Sequence, residues 1–183
     1  MNRRSLGLTL IEMVVTVAVM GVLAAAAFPG MSEFIDRQRL VSQTRAIAEL
    51  AQTARSEATK RSASGASDLK SIAMTVNPGS SWSVGLANGT AACTGSTCVI
   101  NQGGTAVPYA VTADQCSGCS MASPASQAVM VFDLRGLVSG AGAETAITLT
   151  SPRSKQLSVR ISRLGRISLC SPGSTVTGYP ACP

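Results

Sequence analysis

The chain has 183 residues, 45% of them hydrophobic but only 3% aromatic and 13% charged, with a net charge of +6. That length suits one modest domain or one domain plus an anchor. The lack of any histidine removes the commonest general base, proton shuttle and metal ligand, so nothing favours an enzyme.

Residues 1–7 are short and polar, with Arg3 and Arg4 adjacent, and residues 8–30 then carry a single charge, Glu12. As a helix the second stretch would be about 34 Å long, enough for a hydrocarbon core of about 30 Å. The two arginines precede it, which leaves residues 1–7 in the cytoplasm and the rest outside. An ordinary secretory signal is the rival, with Ala24 to Ala27 as its small-residue cleavage region. Against it, the pattern runs past Pro29 straight into another helical stretch, and Glu12 sits near the start of the apolar run. A carboxylate in lipid costs about 2.5–3.5 kcal/mol even on the mild insertion scale, so its presence implies a job and a partner.

Gly7-Leu8-Thr9-Leu10-Ile11-Glu12 resembles the class III signal of type IV pilins and pseudopilins, Gly-Phe-Thr-Leu-Ile-Glu, with Leu8 in place of Phe. Gly21 and Pro29 also fall where the N-terminal helix of that family commonly has Gly and Pro. The resemblance implies that a prepilin peptidase cuts after Gly7 and methylates the new amine at Leu8. It also gives Glu12 a role. In lipid the Leu8 ammonium and the Glu12 carboxylate of an isolated subunit are both unpaired. In a filament Glu12 meets the Leu8 amine of a neighbour and sets the axial register, at far less cost than either charge alone.

Beyond Pro29 the helix turns amphipathic. Leu40, Ile47, Ala51, Ala54 and Ala58 make one apolar stripe, widened by Phe34 and Val41. Glu33–Arg37 and Glu57–Arg61 are acid-first i,i+4 pairs. Residues 62–65 end the helix, with Gly65 as the stop and a kink or melted turn expected at Pro29. Residues 54–61, Ala-Arg-Ser-Glu-Ala-Thr-Lys-Arg, resemble the Ala-Arg-Ser-Glu-Ala-x-Lys-Arg stretch of one pilin branch, the GspH/FimT family. Physically these charges read as a solvated helix face laced with ion pairs.

The remainder reads as short strands. Ile72, Met74 and Val76 alternate inward, residues 77–79 turn, and Trp82, Val84 and Leu86 alternate again as a hairpin, with Trp82 a core anchor. Residues 87–127 form an insertion rich in Gly, Ser, Thr and Ala, whose one charge is Asp114, so it needs stapling to be ordered. Residues 128–134 form a continuous apolar strand, and strands follow at 145–150, 157–163 and 166–169. The resemblance implies the α+β pilin fold: a cleaved leader (1–7), a transmembrane half-helix (8–30), an amphipathic half-helix (31–64) and a disulfide-stapled antiparallel β head (65–183).

All six cysteines lie beyond residue 90 and, behind an export-like start, read as disulfides. They fall into three local sets: Cys93 with Cys98, Cys116 with Cys119, and Cys170 with Cys182. Sequential pairing is the simplest of the possible connectivities. Cys116-Ser117-Gly118-Cys119 is formally a CxxC, but a redox centre wants a βαβ context and a zinc site wants a second thiolate pair.

Residues 145–183 carry Arg153, Lys155, Arg160, Arg163 and Arg166 and no acid. Strand parity sets Arg160 opposite Leu157, Val159 and Ile161, and a tight turn at 163–166 would gather Arg160, Arg163 and Arg166, a set suited to phosphate contact. Some members of the resembled branch are linked to DNA capture through a Gly-Arg-x-Arg motif. Here the match is Gly165-Arg166-Ile167-Ser168, which lacks the second arginine. A solvated strand face is the plainer alternative, and no aromatic lies near in sequence to stack bases.

Two non-enzymatic roles remain. The first is a minor pilin or pseudopilin that primes assembly of a type IV pilus or a type II secretion filament; the second is a minor pilin that binds double-stranded DNA for natural transformation. The implied partners are major and minor pilins or pseudopilins, the prepilin peptidase, the inner-membrane assembly platform and membrane lipid. No cofactor or metal is implied. The implied location is the inner membrane, single-pass, with the head in the periplasm, or outside the cell once in a pilus.

Overall fold

The computed structural model describes residues 9–61, 71–102, 104–140 and 144–183; the side chains of residues 26–30 and of Thr145 also lie outside the description. By its internal contacts the chain divides into two units, Met1–Ile35 and Asp36–Pro183. One helix, α1 (Leu10–Arg61), contributes to both and is continuous through Pro29, so the expected melted turn is absent. The expected stop at residues 62–65 lies outside the described residues.

In the first unit every described side chain from Thr9 to Ala25 is exposed, Leu10 to 82%. Among the described residues no helix is long and apolar enough to cross a membrane. The expected span, residues 8–30, extends beyond the described side chains at both ends.

In the second unit the helix buries Leu40, Ile47, Ala51, Ala54 and Ala58 completely, so the stripe read from spacing is the packed face. Leu40 and Ile47 each contribute about 1.5–3 kcal/mol through this burial. Thr44 joins the face by donating its hydroxyl to the Leu40 carbonyl at 2.7 Å. Val41 packs against the core from its margin, whereas Phe34, expected to widen the stripe, is exposed and belongs to the first unit.

Among the described residues eleven strands follow: β1 (Ile72–Asn77), β2 (Ser83–Asn88), β3 (Val99–Gln102), β4 (Thr105–Pro108), β5 (Ala110–Thr112), β6 (Ser120–Ala122), β7 (Ala128–Phe132), β8 (Val138–Ser139), β9 (Thr145–Thr150), β10 (Gln156–Ile161) and β11 (Ile167–Cys170). They pair antiparallel in two main sheets, β5-β2-β1-β7-β8 and β11-β10-β9-β6, with β3-β4 as a separate ribbon. The expected antiparallel head is thus built as two main sheets and a ribbon. An isolated bridge between Gly79 and Met121, with both N–H···O bonds at 2.9 Å, ties the β1–β2 turn to β6. Trp82 anchors the core at 1% exposure.

β1 departs from the alternation read in the sequence: Ile72, Ala73, Met74, Thr75 and Val76 are all fully buried. It is the central strand of its sheet, and the insertion covers its second face. The Cys93 amide donates to Thr75 Oγ1 at 3.0 Å. Beside Thr75 in register lies Gly85, where an added Cβ would stand 2.7 Å from Cys98 Cβ and 3.2 Å from Cys93 Sγ. The absent side chain at Gly85 is what lets the Cys93–Cys98 bridge lie on the sheet.

Candidate functional site

At the start of α1, Thr9 and Glu12 close a reciprocal cap. The Glu12 amide donates to Thr9 Oγ1 at 3.3 Å, and the Thr9 amide and hydroxyl donate to Glu12 Oε2 at 3.2 and 3.3 Å. Thr-x-x-Glu at a helix start satisfies free backbone donors, and a carboxylate there also complements the helix dipole. The cap is a role for Glu12 beside the charge pairing that the resemblance implies. Gly7 and Leu8, the expected cleavage and methylation positions, lie outside the described residues.

The six cysteines form three disulfides: Cys93–Cys98, Cys116–Cys119 and Cys170–Cys182, with Cα separations of 5.1, 5.4 and 4.9 Å. Cys116 and Cys119 are buried, and Pro152 packs where a Cβ on Gly118 would lie. The Cys170–Cys182 loop is clasped to the helix. Arg37 donates to the Thr177 carbonyl at 2.8 Å and Arg45 to the Tyr179 hydroxyl at 3.2 Å. Among the described residues no group of three His, Cys, Asp or Glu side chains converges as metal ligands would.

The charges of residues 54–61, read as a solvated face, mostly hold the fold. Arg55 donates to the Gly165 carbonyl at 3.2 Å and lies where a Cβ on Gly136 or Gly165 would stand, so it spans the β7–β8 and β10–β11 turns. Arg61 donates to Asn88 Oδ1, and to the Asn101 carbonyl at 2.8 Å. Lys60 bonds Glu57 at 2.9 Å, and this contact holds its ammonium above the ordinary lysine value. Two alanines of the stretch, Ala54 and Ala58, are core.

The basic turn is built by Ser162 and Gly165. The Gly165 amide donates to the Ser162 carbonyl at 2.9 Å, and the Ser162 amide to the Arg166 carbonyl at 3.0 Å. Gly165 has φ 69°, and an added Cβ there would collide with the Gly136 carbonyl, so glycine is required just before Arg166. In register Arg160 faces Ser168, which puts Ser168 where the motif's second arginine would be. Arg160, Ser162, Arg166, Ser168 and Glu144 line one cavity of about 560 Å³, with Arg160 donating to the Pro183 carbonyl at 3.2 Å. Arg163 does not line this cavity; its Nε lies 3.9 Å from Glu144 Oε2. Glu144, which shares the site, precedes the span counted as free of acid by one residue.

Residues 2–28 match the prokaryotic N-terminal methylation motif. Residues 43–165 match the family described as type II transport protein GspH. No curated protein matches the sequence. Among solved structures, the fold is similar to the type IV minor pilin FimU of Pseudomonas aeruginosa (strain PAO1), with a TM-score of 0.51 at 17% identity. That likeness covers 78% of this chain and 99% of the other. The GspH match spans well over half of the chain, and the long helix packed on antiparallel strands is the pilin fold. The chain therefore belongs to the GspH family of minor pilins and pseudopilins and carries their N-terminal methylation motif.

Proposed function

We propose that this chain is a structural and assembly-priming subunit of a type IV pilus. Residues 8–30 hold it in the inner membrane as a single span, and its head faces the periplasm until assembly carries it outside the cell. The observation that carries this reading is the bare apolar helix. Every described side chain from Thr9 to Ala25 is exposed, including Leu10, Ile11, Val14, Val15, Val22 and Leu23. Apolar surface on that scale requires lipid before assembly and neighbouring helices after it. The partners are therefore lipid, the prepilin peptidase, the assembly platform, and major and minor pilins.

Glu12 then works in two stages. In the isolated subunit the Thr9 amide and hydroxyl solvate its carboxylate and lower the cost of holding it in the bilayer. In the filament it pairs with the methylated Leu8 amine of a neighbour. Glu12→Ala is expected to leave cleavage and insertion intact and to cut incorporation into filaments about tenfold or more, since it leaves an unpaired buried ammonium. Glu12→Gln keeps an acceptor for the cap but no charge, so it should fail likewise. Normal incorporation of both variants would remove the charge-pairing role.

A type II secretion filament is the alternative machine. The cysteine-rich insertion favours the pilus, because an exposed tip tolerates decorated loops. Loss of piliation without loss of protein secretion on deletion of the chain would agree with that choice, and the reverse would overturn it.

A second reading rests on the Arg160–Arg166 cavity: weak, sequence-independent binding of duplex DNA through its phosphates, as a minor pilin for natural transformation. Ser162 and Ser168 add hydroxyl donors, and among the described residues no aromatic side chain lines the cavity to stack bases.

A further inference from the structure

We infer that Glu144 is an internal competitor for the phosphate site at the basic turn, holding its affinity for polyanions down. The inference rests on the second reading above. Among the described residues Glu144 is the one acidic side chain lining the cavity that Arg160 and Arg166 share, and the same carboxylate is the partner of Arg163. A single carboxylate thus pairs with one arginine and shares with two others the cavity where a phosphate oxygen would be received. Its negative charge offsets one of the positive charges that would otherwise meet the nucleic-acid backbone.

The backbone at Glu144 points the same way. Its φ is 65°, in the left-handed region that residues bearing a Cβ avoid, and Gly or Asn would occupy it at lower cost. Stability alone would not select a glutamate there. The carboxylate is also weakly held: the Arg163 contact is 3.9 Å long and the two side chains are 63% and 72% exposed. Such a pair is loose enough for phosphate to displace. Arg160, by contrast, lies across from Ala146 and Ser168 on an inner strand of its sheet and donates to the Pro183 carbonyl, so it is a fixed base for the site.

The test uses the full chain in detergent and a 30-base-pair duplex, titrated at about 50 and 200 mM salt. Glu144→Gln should bind about threefold to tenfold more tightly at low salt, with a salt slope steeper by about one unit as Arg163 becomes free to contact phosphate. Glu144→Gly should match it, although it relieves the backbone as well. Glu49→Gln, an exposed acid on the helix, controls for the added net charge and should gain far less. Arg163→Ala should cost little in the parent and clearly more in the Glu144→Gln background.

If Glu144→Gln binds as the parent does while Arg160→Ala or Arg166→Ala weakens binding, the competitor role is wrong and the DNA reading stands. If Glu49→Gln gains as much, the effect is bulk charge and the inference falls. If no arginine substitution matters, or neither the parent nor Glu144→Gln binds at low salt, both fall together.

Discussion

Gly85→Ala probes how the insertion is held on the head. The new methyl would stand 2.7 Å from Cys98 Cβ and 3.2 Å from Cys93 Sγ, closer still to Cys98 Sγ. These are not the free ends of flexible side chains, because the bridge fixes both sulfurs over the sheet. The strand cannot retreat either. Gly85 is paired with Thr75 on β1 and Ala110 on β5, and β1 is buried on both faces. Overpacking of this kind costs about 1–3 kcal/mol. For a unit of this size each kcal/mol moves the melting temperature by roughly 2–4 °C, so a fall of about 2–12 °C is expected. Trp82, the single tryptophan, is buried just before β2, so its fluorescence follows unfolding of the head. Combining Gly85→Ala with Cys93→Ala and Cys98→Ala should remove most of the added cost, since the clash is with the bridge itself. A Gly85→Ala protein that keeps its bridge and melts within a degree of the parent would refute this packing. So would an equal penalty without the cysteines.

Ile47→Ala, in the middle of the buried helix face, should cost about 2–5 kcal/mol in the same fluorescence melt, whereas Phe34→Ala, exposed on the same helix, should cost almost nothing. Replacing Cys170 and Cys182 by serine should lower stability by about 2–4 kcal/mol and raise the protease sensitivity of the 170–182 loop, because only noncovalent contacts, those of Arg37 and Arg45 among them, then hold it. Arg55→Ala should cost about 1.5–3 kcal/mol through its lost bond to the Gly165 carbonyl and loosen the basic turn in amide exchange, although the residue carries no role in ligand contact.

The helix, its packed stripe and most strands were legible because they obey local periods. Leu40 through Ala58 repeat at helical spacing, and β9 begins and ends where its alternation does. The local cysteine sets and the six-residue signal are likewise short-range. What the sequence hid is non-local. β1 reads as half-buried, yet its outer face is closed by a loop some 20 residues away whose fit depends on a missing side chain at Gly85. Arg55 looks like a solvated helix charge until the Gly136 and Gly165 turns are folded onto it. Glu144 escaped the basic-cluster reading because it lies outside the acid-free span, and only the β9–β10–β11 register returns it to Arg160 and Arg166. The Thr9–Glu12 cap is hidden for another reason: a reciprocal cap and an intersubunit charge pair use the same carboxylate, and spacing alone does not separate them.

On the proposed reading, cleavage after Gly7 would create the Leu8 amine on which the role of Glu12 depends, and it would set this chain apart from a secreted protein with an ordinary signal peptide. Intact mass and N-terminal sequencing of protein purified from membranes read it directly. The expected product begins at a methylated Leu8 and keeps the whole apolar helix. A mature chain beginning near Ala26 would have lost that helix, and with it both the membrane anchor and the surface by which the subunit joins a filament.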